Sequence, residues 1–417
     1  MKNIFLLFLW IVTVIFSMIW AFENPEKIEK IKNNFKKNKK IEVKIAVENE
    51  KYFKANSFDV SLSKVLDFGD KTAFLIYPEK NKKFDISNLK IYLQTGFVIN
   101  NGITKKLNLP KYFTLQRNGG IKTIISTEKD SFALISGNEK SCFFSSIISL
   151  SETKEIFRTE CLPELPKNND FNGMGSSNVH FNGSILFSLG IPEKSFGKNN
   201  LLAQDNNSYF GKILEMQKSD LADVSRINPK NLKVNIFSKG HRVPQGLTVL
   251  NNKIFNTEHG PKGGDELNLV FKDKNCGFPN VSYGTNYLED EGGDGKSIQV
   301  NHEKNNFEEP LFAFVPSVGI SALNNCPTAL INYYKKSCLM ALSLIGNNLI
   351  KGHSLIIFLL NNSLDKVQSI EKIPLDDLVL RHFVTNKENV LYEDGEGNIY
   401  VSADKKGIYK IGFTNFR

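Results

Sequence analysis

The chain has few of the residues that build cross-linked or metal-centred small folds. It holds five cysteines in 417 residues, Cys142, Cys161, Cys276, Cys326 and Cys338, and none of them forms the CxxC spacing of zinc or redox motifs. Zinc-finger spacing, an RNP-type aromatic motif and a basic heptad are all missing. The formal net charge of +9 comes mostly from dispersed lysines, so it does not mark a nucleic-acid partner. Long amphipathic helices are scarce after residue 40, with one weak candidate at "CPTALINYYKK", and a helical bundle is disfavoured. What is present is ordinary for a globular protein: 41% hydrophobic and 23% charged residues, in a chain long enough for one to three domains and a large core.

Charge is also missing from Ile4 to Phe22, a run about long enough to cross a bilayer as a helix and longer than the usual apolar region of a signal peptide. No small-x-small cleavage site is evident near Ala21. An uncleaved membrane anchor over residues 1–25 is therefore favoured over a cleaved signal peptide, with a lysine-rich spacer at 26–40 and the body at 41–417. The lysines after the segment would hold the body in the cytoplasm by the positive-inside rule. Cysteine votes the other way. Cys142 with Cys161 and Cys326 with Cys338 are close in sequence, and they read either as buried thiols of a reduced compartment or as two short disulfides of an oxidising one, with Cys276 left free. Anchor and pairs together favour an exported body.

The body has the rhythm of short strands. "IKTIIST-EKD-SFALIS-GNEKS-CFFSSIISL-SETK-EIFRTECL", from Ile121 to Leu162, gives four apolar or alternating runs over about the length of one propeller blade. "SSNVHF-NG-SILFSLG" reads as a hairpin turning at Asn182-Gly183, and "GLTVL-NN-KIFNTE" and "NIYVSADKKGIYKIGF" repeat the design. The pattern predicts an all-β propeller, barrel or sandwich, and the body is longer than one sandwich usually holds.

One stretch has unusual punctuation: "GHRVPQGLTVLNNKIFNTEHGPKGGDELN", Gly240 to Asn268. A strand ending at His259-Gly260-Pro261 presents an imidazole beside exposed carbonyls, which are hard oxygen ligands suited to calcium. Arg242 and Gln245 are residue types that grip carboxylates and polar rings by forked hydrogen bonds. The plainer reading is a set of tight propeller turns with Arg242 paired to Glu258.

"GHRVPQGL", "TEHGPKGGDELN" and "NCGFPNVSYG", with "AQDNNSYFGKILEM" upstream, resemble the signature of the glucose/sorbosone dehydrogenase family, the sugar dehydrogenases that use pyrroloquinoline quinone (PQQ). The likeness is specific from about Ala203 to Tyr287 and weak before Cys161. It implies a six-bladed β-propeller, preceded here by the N-terminal hydrophobic helix, with PQQ on the top face over a calcium ion and oxidation of an aldose to its lactone in the periplasm. Carried onto this chain, Arg242, Gln245, His259 and Arg381 match cofactor-binding positions, and Gly260 and Pro261 supply the calcium-binding carbonyls.

Departures from the pattern are as informative. Val243 replaces an asparagine, Cys276 and Phe278 replace a tyrosine and a tryptophan, and "VLRH" keeps Arg381 while Val379 and His382 stand for an arginine and an aspartate. The family's late lysine has no clean equivalent, though Lys351 lies nearby. The family's catalytic histidine, as the motif aligns, falls on Gly173 of "FNGMGSSNVHF", which leaves His180 and His382 as substitutes. A positioned base is worth about 10² to 10⁴ in rate. The expectation is thus an enzyme passing electrons from a sugar to a quinone or cytochrome. The alternative is a catalytically impaired propeller that binds sugar or protein. The acidic loop "YLEDEGGDG" lacks EF-hand spacing and reads as a solvated turn.

Overall fold

The computed structural model describes residues 44–417 except 47–48, 69–72, 77–84, 86–88, 141, 163–170, 175–176, 192–197, 230–231, 289–293, 346–352 and 376–377. The hydrophobic segment at 1–25, the spacer at 26–40, Lys351 and most of the acidic loop therefore lie outside the described residues. Among the described residues no helix is long and apolar enough to cross a membrane.

Six sheets follow one another along the chain as the blades of a propeller, antiparallel except where the short strand Lys274–Asn275 pairs parallel at the edge of the third. Blade 1 runs from the strand Ala73–Ile76 to Ile103–Lys106, blade 2 from Ile121–Ser126 to Glu155–Arg158, and blade 3 from Asn178–Phe181 to Asn235–Lys239. Blade 4 runs from Val243–Leu250 to Phe312–Phe314 and blade 5 from Ile320–Asn325 to Val367–Pro374. Blade 6 is composite: Leu380–Phe383, Ile399–Ala403 and Gly407–Thr414 are completed by the early strand Asp59–Asp67, which pairs antiparallel with Gly407–Thr414. Arg417 reaches back to Asp59 and to the carbonyl of Ala55, fastening the same seam. In each blade the first strand lies innermost, and these six strands surround the axis.

Local sequence accounts for the blades. The block from Ile121 to Leu162 forms all of blade 2, and its turns fall in the polar spacers. Asn182 and Gly183 both take positive φ (48° and 80°), as do Asn251 and Asn252 (47° and 62°), which is the twist a two-residue hairpin needs. Middle strands such as Ser184–Leu189 and Cys338–Ser343 are buried along their whole length, because a blade is covered on both faces. The core is accordingly radial, lying between blades rather than at one centre. Ile125, Phe132 and Ile147 of blade 2 pack on Ile185, Phe187 and Leu214 of blade 3, and Phe255 and Leu267 of blade 4 on Ile320 and Leu339 of blade 5.

Both short disulfides are formed, Cys142–Cys161 and Cys326–Cys338, and Cys276 is free and buried. The second bridge spans the short helix Thr328–Tyr334, which occupies the weak helical candidate.

Candidate functional site

Arg242 lies at the junction of blades 3 and 4, just before the innermost strand Val243–Leu250. Gly240 makes the approach with φ of 76°, and a Cβ added there would sit 2.1 Å from Asn275 Oδ1. The ring of His241 is fully buried between Ser238 Oγ (2.8 Å from Nε2) and Glu258 Oε2 (2.7 Å from Nδ1). Glu258 Oε1 accepts the backbone N–H of Arg242 at 3.2 Å. The expected side-chain pairing of Arg242 with Glu258 is thus replaced by a backbone contact. Arg242 Nη1 donates to the carbonyls of His259 (3.2 Å) and Gly260, two oxygens converging on one cationic group.

The turn after His259 depends on glycine. A Cβ at Gly260 would lie 2.1 Å from Gly264 O, and Gly263 and Gly264 take φ of 93° and 69°. Asp265 anchors the turn to blade 5 by accepting from Ser317 Oγ and from the backbone N–H of Val318 and Ile320. Pro261 stands within the turn, its ring near Gly284. Among the described residues no group of three or more His, Cys, Asp or Glu could hold a metal ion.

His259 Nε2 is buried without a hydrogen-bond partner. Burial pushes its pKa below the ordinary value; Asp265 opposes this, while Arg242 and Arg381 reinforce it. Arg381 stands at the start of the innermost strand of blade 6, as Arg242 stands just before the start of that of blade 4, so both lie on the same side of the propeller. Arg381 itself is held by a bidentate pair with Asp404. Gln245 is the extra residue of a β-bulge between Pro244 and Gly246, where a proline that has no N–H breaks the ladder. It lines an axial cavity of about 510 Å³, counting space open to solvent, walled by residues of all six blades. At the far end Asn389 enters from blade 6 and donates to the carbonyls of Asn178 and Leu247.

The structure thus gathers Arg242, His259, Gly260 and Arg381 at one mouth of the axis, with Gln245 just inside it. Gly173 lies in the turn Phe171–Met174 beside them: a Cβ at Gly190 would meet the carbonyls of both Gly173 and Arg242 within 2.9 Å. His180 is not brought there. It lies beside the Asn182-Gly183 hairpin, next to Lys218 and Glu388. His382 lines the axial cavity against Phe74, ring centroids 4.7 Å apart, but burial and Arg381 push its pKa down to about 3, too weak for a base near neutral pH. Cys276 and Phe278 pack behind Arg242, the thiol 3.9 Å from His241 Nε2 and the ring 6.0 Å from the guanidinium.

A second layer behind the site was invisible in the spacing. Glu266 is buried directly across the ladder from Glu258, and desolvation, with the nearby Glu258 charge, raises its pKa well above the ordinary range. The signal available was the charged pattern E-H-G…D-E on adjacent strands, which places carboxylates on facing positions once the hairpin register is known.

Comparison with known proteins gives a consistent set of likenesses. The family model described as Glucose / Sorbosone dehydrogenase matches residues 135–401, more than half of the chain. The aldose sugar dehydrogenase YliI of Escherichia coli (strain K12) is 35% identical over 121 residues, 27% of this chain and 32% of that protein. Quinoprotein glucose dehydrogenase B of Acinetobacter calcoaceticus is 36% identical over 95 residues, 22% of this chain and 19% of that protein. The matched segments therefore span about a third or less of these relatives. Among solved structures, the soluble aldose sugar dehydrogenase of Escherichia coli in its apo-form superposes with a TM-score of 0.62 at 19% identity, covering 89% of this chain and 99% of that one. The PQQ-bound aldose sugar dehydrogenase of Streptomyces coelicolor gives 0.50 at 15% identity, covering 85% and 98%. At these identities the superpositions speak for the fold.

Proposed function

Because the chain belongs to the glucose/sorbosone dehydrogenase family, we propose that it oxidises an aldose sugar to its lactone with PQQ as cofactor and passes the electrons to a quinone or cytochrome. The observation that carries this reading is the mouth itself: the Arg242 guanidinium meets the carbonyls of His259 and Gly260, the Nε2 of His259 is buried without a hydrogen-bond partner, and Arg381 stands at the start of the innermost strand of blade 6 on the same side. An unpaired buried nitrogen beside the Arg242 guanidinium fits a polar, carboxylate-bearing ring, since leaving it unpaired costs about 1 to 3 kcal/mol. The converging carbonyls of His259 and Gly260 already hold one cationic group, Arg242 Nη1, so their geometry suits a hard cation as well.

In this reading Arg242 and Arg381 bind carboxylates, Gln245 and His259 orient the ring, and Gly260 with Pro261 offers oxygens to calcium. PQQ, when bound, supplies the two-electron acceptor. Arg242 would leave the Gly260 carbonyl for a cofactor carboxylate, so cofactor and calcium would be taken up together. The export of the body is supported by its two disulfides, which persist in oxidising compartments. The apolar run from Ile4 to Phe22 is the element that would tether it to a membrane.

A second reading has its own observation. Gly173 brings no proton acceptor to the mouth and His382 is too weak a base, which favours a propeller that binds sugar without oxidising it. Reconstitution of the full-length chain with PQQ and calcium, followed by absorbance and dye-linked turnover on a panel of sugars, separates the two. Binding with turnover supports the enzyme, binding without turnover supports the module, and no binding at micromolar PQQ removes the quinoprotein reading.

A further inference from the structure

Four of the six innermost strands carry a bulge near the start that faces the mouth. The register slips between Ile121 and Thr123, Pro244 and Gly246, Ile320 and Leu323, and Leu380 and His382. A bulge releases a residue from the ladder and re-aims its side chain. In blades 4 and 6 the released residues are Gln245 and Arg381. In blade 2 it is Lys122, which no part of the proposed site yet uses.

Lys122 is 9% exposed, although lysine ordinarily keeps its ammonium in water. Its Nζ donates to the carbonyl of Asn118 at 3.0 Å, in the turn Gln116–Asn118 that precedes the strand. That turn packs beside Phe171–Met174, the turn of Gly173, which lies beside Arg242, so the turn that holds the ammonium belongs to the mouth's side of the propeller. The turn is also held in an uncommon state. Arg117 and Asn118 both have positive φ, 48° and 55°, and Gln94 Nε2 fixes them by donating to the carbonyls of Asn118 (3.1 Å) and Gly119 (2.9 Å). Consecutive side-chain-bearing residues in the left-handed region persist where surrounding contacts over-determine them, and such places cluster at ligand sites.

We propose that Lys122 is a carboxylate-binding cation of the mouth, acting beside Arg242 and Arg381 and standing in for the cation lost at Val379. This rests on the proposed function and extends it to a residue outside the family's motif. The carboxylate has two chemical sources, the cofactor itself or an acidic sugar.

The test uses the full-length chain with Lys122→Gln, which keeps a donor for Asn118 O but removes the charge, and Lys122→Arg, which keeps the charge. PQQ affinity is read by absorbance titration with calcium at low and high salt, and KM is read for a neutral aldose and for the matching uronic acid. A cofactor role predicts about tenfold weaker PQQ binding in Lys122→Gln, with a flatter salt dependence and recovery in Lys122→Arg. A substrate role predicts the same loss for the uronic acid alone. Unchanged affinities for both in a variant with wild-type melting overturn the proposal and leave the proposed function intact. Loss of affinity with lowered melting and no recovery by arginine also overturns it, in favour of a purely structural lysine. Wild-type protein that binds neither PQQ nor the acid overturns both.

Discussion

Glu258 and Glu266 stand directly opposite each other on neighbouring antiparallel strands of blade 4, both buried, and they divide the work of two carboxylates between them. Glu258 takes the His241 ring and the Arg242 amide, while Glu266 is driven toward its protonated form. A group whose folded-state pKa is raised contributes stability that is full below its unfolded value, near 4.5, and is lost as pH rises toward the folded value. Melting of the wild-type chain should therefore carry a declining component above that pH. Glu266→Gln, which mimics the protonated acid, should lack the decline and melt higher near neutrality. Identical pH profiles for the two proteins would refute the assignment.

Arg242→Ala should leave the propeller folded and abolish cofactor binding. An unpartnered cofactor carboxylate costs about 2 to 5 kcal/mol, or roughly thirtyfold or more in affinity. Titration with PQQ in the presence of calcium reads this, and circular dichroism checks that the β signal persists. Calcium chelation should weaken PQQ binding in the wild type.

Non-reducing peptide mapping should return Cys142 linked to Cys161 and Cys326 linked to Cys338, with Cys276 alkylated only after unfolding. Each bridge closes a short loop, separations of 19 and 12 residues, and replacing either pair by alanine should cost about 3 kcal/mol. Five thiols in native protein would contradict the fold's cross-links and the case for export.

Gly173→His tests the missing base. If the chain binds PQQ but turns over slowly, an imidazole in the turn Phe171–Met174 should raise kcat by about 10² or more while leaving PQQ affinity near its wild-type value. No gain in kcat on any bound sugar would place the proton acceptor elsewhere.

Much of this was legible in the sequence wherever the signal is local. The runs from Ile121 to Leu162 spelled out a blade, the Asn-Gly and Asn-Asn pairs spelled out hairpins, and the punctuation around Arg242 and His259 marked a turn that backbone must approach closely. What stayed hidden depends on register between distant strands. Nothing near Asp59–Asp67 announces that it pairs with Gly407–Thr414, because the pairing is decided by ring geometry rather than by neighbouring residues. Lys122 and Arg381 likewise show their shared role only once the ladder slips are counted, and the Glu258–Glu266 contact exists only after the hairpin has chosen its alignment.

The seam in blade 6 has a consequence for how the molecule comes into being. A ring buckled by so early a strand stays unbuckled until the strand Gly407–Thr414 has left the ribosome and reached it, so five blades must wait with an exposed sheet edge on blade 6. Edges of that kind recruit other chains, and contacts between such remote parts of a sequence form slowly. Cutting the chain at the Asn251-Asn252 tip and linking Arg417 to Ser57, which already share a hydrogen bond, with the residues before Ser57 left out, would turn that late clasp into a local hairpin. The permuted protein should close its ring sooner and aggregate less on refolding, with the mouth around Arg242 unchanged.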